Sequence, residues 1–183
     1  MKAVIDTTSL VSFVRYYLPF DKQDKLKLLL SEKFENGELI VLDKVFDESR
    51  FVAKGIVVKE LEFLNKTTKH IKTTLVLPES KFYKILENQL CYGAQKNKLT
   101  PTEFEVAKNK FLETADAKLI LYCNNNTGSS DKTIIVTEES RTDNDSKLFK
   151  KLPEICNILS IEHCSLPVLL KEHFKIKLSD YLV

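Results

Sequence analysis

The chain has 183 residues, 43% of them hydrophobic, and a formal net charge of +2. That length buries one full core without a second domain, and the near-neutral charge gives no global basic field of the kind that marks a general nucleic-acid binder. No apolar run is long enough to span a bilayer and no signal-peptide pattern is present, so a soluble, cytoplasmic, reduced protein is expected.

The first ten residues carry the strongest local signal. Residues 3–5 form an apolar run that stops at Asp6-Thr7-Thr8-Ser9, the pattern of a buried strand handing over to a helix N-cap. In a parallel α/β sheet that handover lies at the carboxyl end of a strand, where such folds place ligands. Helices are expected over 9–18, closed by Pro19, and over 22–36, closed by Gly37. Residues 38–42 (ELIVL) read as a second strand, and 43–55 carries Val45, Glu48 and Val52 at helical spacing. A short helix follows over 56–64, then a strand or extended loop over 73–77, then a helix over 79–95. Thr100, Pro101 and Glu103 supply an N-cap, a first-position proline and a capping-box acid, so a helix should run to about residue 113. The next begins near Ala115, with Asp116 in its first turn, where the helix dipole favours a negative charge. After a polar loop over 124–132, residues 133–137 form a strand that again stops at acids, Glu138 and Glu139. Residues 153–157 read as a turn or short helix, 157–162 as a last strand and 166–174 as a last helix. Strands alternating with helices predict one domain over 1–183, a three-layer α/β/α sandwich around a parallel sheet, with an enlarged helical middle at about 65–113.

Asp6, Glu48, Asp116 and Glu139 each occupy a strand end or helix start on this reading. Any one alone is an ordinary cap or surface acid. Four at equivalent edges of one sheet are a different matter, because converging carboxylates stay ionised together only where cations neutralise them. Hard oxygen ligands select Mg²⁺ or Mn²⁺, ions able to activate water against a phosphodiester. Glu48 is preferred to Glu60 as the second acid because it follows ELIVL closely. Three basic clusters are candidates for a polyanion-binding rim: Lys66, Lys69, His70 and Lys72; Lys147, Lys150 and Lys151; and Lys171, Lys175 and Lys177. Each alone reads as a solvated face; Lys66, Lys69, Lys72, Lys147 and Lys150 are the substrate-binding candidates. Cys91, Cys123, Cys156 and Cys164 lack C-x-x-C spacing and read as small buried hydrophobes rather than zinc ligands. The chain has no glycine-rich phosphate loop, and none of its three histidines sits beside a turn-held nucleophile.

The segments AVIDTTSL, LDKVFDE, TADAKLILYC and IIVTEE, in this order, resemble the acidic motifs of the PIN-domain family, small metal-dependent ribonucleases of which many are toxins of bacterial toxin–antitoxin pairs. The resemblance spans most of the chain through short motifs. It implies a central parallel sheet of four or five strands with acids gathered at its carboxyl edge, and cleavage of single-stranded RNA. It further implies catalytic roles for Asp6, Glu48, Asp116 and Glu139, with Mg²⁺ or Mn²⁺ held by Asp6, Asp116 and Glu139 and support from Thr8 and Thr137. An antitoxin partner and a homodimer also follow from it. Glu139 falls where the family usually has Asp, and Asp143 and Asp145 lie close enough to substitute. Glu138 is expected to point away from the acids if the strand continues through it. The alternative is that the same fold serves as a catalytically inactive module for RNA or protein binding.

Overall fold

The computed structural model describes residues 1–126, 132–140 and 147–183. Ala3, Val4 and Ile5 are fully buried and form β1 (Lys2–Ile5), an interior strand of the sheet. Asp6 keeps an extended backbone and stands at the N-cap of α1 (Thr7–Tyr16). Asp21 takes up both leading amides of α2 (Lys25–Glu35), Leu26 and Lys27, at 2.9 Å each. A turn through Gly37, at φ 70°, leads into β2 (Leu39–Ile40). Five short helices follow: α3 (Asp43–Ser49), α4 (Ile56–Glu60), α5 (Ser80–Asn88), α6 (Gly93–Lys96) and α7 (Pro101–Leu112). Then come α8 (Ala115–Asn125), β3 (Thr133–Val136), α9 (Leu152–Leu159), β4 (His163–Cys164) and α10 (Leu166–Val168), which runs on into a wider turn over Leu169–His173.

The sheet is parallel throughout, in the order β2-β1-β3-β4. Val4 sits between Ile40 and Ile135, so both faces of the central strands must be covered, as their unbroken apolar sequences require. The chain leaves β1 towards β2, crosses back to β3 and continues outward to β4. Right-handed crossovers in opposite directions put helices on opposite faces, which makes a three-layer α/β/α sandwich; α8 packs against β3 and α9. The reversal of direction falls between β1 and β3. That point, at the carboxyl ends of the strands, is the usual ligand position in this class of sheet.

Several expected elements are redrawn. The strand expected over 157–162 is not formed: α9 continues to Leu159, Ser160 closes it in the left-handed region at φ 55°, and pairing with β3 begins only at His163. The helix expected over 79–95 stops at Asn88, because Cys91 leaves to bridge Phe149 in antiparallel fashion. Residues 43–55 are not one helix, since Ala53 and Lys54 adopt φ 51° and 59°. The helix over 56–64 ends at Glu60 and gives way to a tight turn over Glu62–Asn65. Residues 73–77 open with another tight turn, Thr73–Leu75, and the strand-like contact lies just before it, where Ile71 bridges Leu42. Cys91, Cys123 and Cys156 are buried and unbridged, and burial pushes the Cys123 and Cys156 thiols up to about 12.

Candidate active site

The carboxyl ends of β1 and β3 lie side by side, with Ile5 opposite Val136. The residues following them are therefore neighbours, although 131 positions separate Asp6 from Thr137. Asp6 is 2% exposed. Its Oδ2 accepts the Thr8 hydroxyl at 2.6 Å and the Thr137 hydroxyl at 3.0 Å. Burial pushes the Asp6 carboxyl above its ordinary range, and these two hydroxyls pull it part of the way back. The Thr8 oxygen also accepts the Glu138 amide at 3.2 Å, so the turn after β3 is fastened to the start of α1.

Thr7, which the sequence did not single out, donates to Glu48 Oε2 at 2.6 Å. That bond brings the exposed Glu48 from α3 to the start of α1; Glu60 makes no such link. Asp116 stands in the first turn of α8, behind the Thr114 cap. Its carboxyl is raised to about 7, first by burial and then by the charges of Asp6, Glu139 and Glu48, with Lys147 opposing. The charges of Asp6, Glu139 and Glu48 thus reach Asp116 from the N-cap of α1, the turn after β3 and α3. Glu139 is half-buried, and its Oε2 accepts the first amide of α9, that of Leu152, at 3.2 Å. The strand that was expected to continue through Glu138 ends at Val136; Glu138 is exposed, and its Oε1 accepts the leading amide of α10, that of Leu166, at 2.6 Å. Asp143 and Asp145 lie outside the described residues.

The lysines divide. Lys66 pairs with Glu35 at 2.6 Å and Lys69 does so at 3.5 Å. Glu35 precedes β2, at the amino edge of the sheet, so both ammonium groups are held opposite the acids rather than around them. Lys72 faces Asp43 and His70. His70 is no part of a basic surface, because it is buried against the rings of Phe34 and Phe46, and that burial lowers its affinity for a proton. Lys147 and Lys150 do reach the acidic edge. They line a cleft of about 550 Å³ that includes Asp116 and Glu139, with Lys150 also paired to Glu154.

Among the described residues, no three His, Cys, Asp or Glu side chains form a ready ligand set for a metal ion. A hard cation that keeps most of its water needs only one or two carboxylates. Asp116 and Glu139 line one cleft, so a cation there would meet two carboxylates. The donor chemistry fits Mg²⁺ or Mn²⁺ on those terms and fits no thiolate- or imidazole-seeking metal.

The chain belongs to a family described as a domain of unknown function, DUF4411, whose model matches residues 4–176. No curated protein and no solved structure matches it.

Proposed function

We propose that the chain is a divalent-cation-dependent endoribonuclease that hydrolyses phosphodiesters of single-stranded RNA. The observation carrying this reading is that Asp6, bonded to Thr8 and Thr137, Glu48, bonded to Thr7, and Asp116 and Glu139, lining one cleft, come from four separate segments to the carboxyl side of a parallel sheet. Such a cluster repels a polyanion unless a cation lies between them. When bound, Mg²⁺ or Mn²⁺ supplies polarisation of the phosphate and a more acidic attacking water. Asp6, oriented by Thr8 and Thr137, and Asp116, which must release its proton, are the proposed principal ligands. Glu48 and Glu139, each already holding one hydrogen bond, would orient metal-bound water. The resemblance to PIN-domain ribonucleases supports RNA as the substrate, and on that basis an antitoxin partner, a homodimer and a cytoplasmic location are proposed with it.

The test is cleavage of a labelled single-stranded oligoribonucleotide in Mg²⁺ or Mn²⁺. Activity should vanish in excess EDTA and fall in Asp6→Asn and Asp116→Asn by more than the roughly 10- to 100-fold typical of an outer-shell partner. Full activity of Asp6→Asn, or activity in EDTA, would overturn the mechanism. That no three His, Cys, Asp or Glu side chains form a ready ligand set among the described residues favours a second reading, a non-cleaving binding module. That reading predicts RNA affinity unaffected by EDTA and no product.

A further inference from the structure

The cleft beside Asp116 and Glu139 has a second wall with a different chemistry. Residues 148 and 150 hydrogen-bond to the backbone of Tyr92 and Leu90 at 2.9 and 3.0 Å. This short ladder fixes Phe149 against Phe111 at the end of α7, their ring centroids 4.3 Å apart and the rings inclined by 19°. Both phenylalanines line the cleft, together with Lys110, Lys147 and Lys151. The cleft therefore presents an aromatic stack, flanking ammonium groups and a carboxylate end within one volume of about 550 Å³, inside the roughly 300–1,000 Å³ span of small-ligand sites.

We propose that this cleft is a nucleotide subsite, in which one unpaired base stacks on the Phe111–Phe149 pair while Lys110 and Lys147 hold the flanking phosphates. The inference rests on the RNA reading above and deepens it. Single-stranded nucleic acid alternates a flat π-surface with a phosphate, and it is held by aromatic platforms set among basic side chains. An acidic peptide would use the lysines but has no flat π-surface to set against the aromatic pair. A base inside a duplex is already covered on both faces, so stacking here requires an unpaired strand. The subsite then acts by positioning: it sets which phosphodiester lies next to the acids.

The experiment uses the full chain in Ca²⁺, a hard cation that neutralises carboxylates, with a single-stranded oligoribonucleotide carrying 2-aminopurine, whose fluorescence falls when it stacks. Wild type should quench the probe saturably. Phe149→Leu, which keeps most of the apolar volume, should lose the quench and bind about tenfold more weakly, and Phe149→Tyr should keep both. Lys110→Ala, at an exposed helix position, should weaken binding and flatten its salt dependence by about one counterion. Equal quenching and affinity in Phe149→Leu and wild type overturns the subsite, as does capture of a polyglutamate peptide in place of the oligonucleotide. Quenching through Phe149 with no cleavage in Mn²⁺ would support the subsite and remove the ribonuclease reading. Undiminished cleavage by Phe149→Leu would support the ribonuclease and remove the subsite.

Discussion

Adjacent threonines divide their hydroxyls between two carboxylates: Thr7 serves Glu48 and Thr8 serves Asp6. Successive residues in a helix point about 100° apart, so a Thr-Thr pair at its first two positions can face two partners. Asp116 receives no hydrogen-bond donor among the described residues, and its behaviour can be stated with a sign. Its folded carboxyl binds a proton up to about pH 7, against an ordinary value of 3.8. Below about pH 4 both states are protonated; between there and pH 7 only the folded state is, so stability falls as pH rises through that window. At about 1.4 kcal/mol per unit the loss reaches at most about 4 kcal/mol and then levels off. Asp116→Asn should therefore stabilise the metal-free chain by about 1–4 kcal/mol at pH 8 and hardly at all at pH 4. Urea denaturation in EDTA measures this, and a gain independent of pH would contradict it. Asp6, Thr137 and Asp116 were legible because each ends a strand or opens a helix. The role of Thr7 was not, because its partner lies 41 residues away on a separate helix.

At the scale of elements, starts were easier to read than stops. The Thr100 cap and its reciprocal Glu103 bond form as the residue types require, and the Thr114 cap behind Asp116 forms too. Among the stops that were missed, those at Ala53, Lys54 and Ser160 occur in the left-handed region on residues that seldom mark it. Gly55 closes the first of them at φ 69°, where a Cβ would come within 2.7 Å of the Arg50 carbonyl oxygen. Pairing partners were also hidden. No local pattern announces that Glu138, adjacent to the acid site, instead receives the first amide of α10. A glutamine keeps an acceptor oxygen for that amide and an alanine does not. Glu138→Gln should therefore be nearly neutral, while Glu138→Ala should cost about 1 kcal/mol. Thermal melting of the two variants settles it, and equal losses would place the importance of Glu138 in its charge rather than in this bond.

Taken as a whole molecule, the topology concentrates negative charge where the chain reverses direction, while the net charge of the chain is only +2. With Lys66 and Lys69 tied to Glu35 at the opposite edge, nothing in that cluster offsets the acids. A cation bound there should report itself as stability. Tenfold above its dissociation constant, a ligand that binds only the folded state adds about 1.4 kcal/mol, or roughly 3–6 °C in a domain of this size. Protons compete for the same place, because Asp116 titrates near pH 7. Mn²⁺ or Mg²⁺ should accordingly raise the melting temperature by that amount at pH 8, by distinctly less at pH 5.5, and not at all in Asp6→Asn. A shift equal at both pH values and retained in the variant would mean that the ion binds another surface. The carboxylates at the switch point would then be a strained cap network rather than a metal centre.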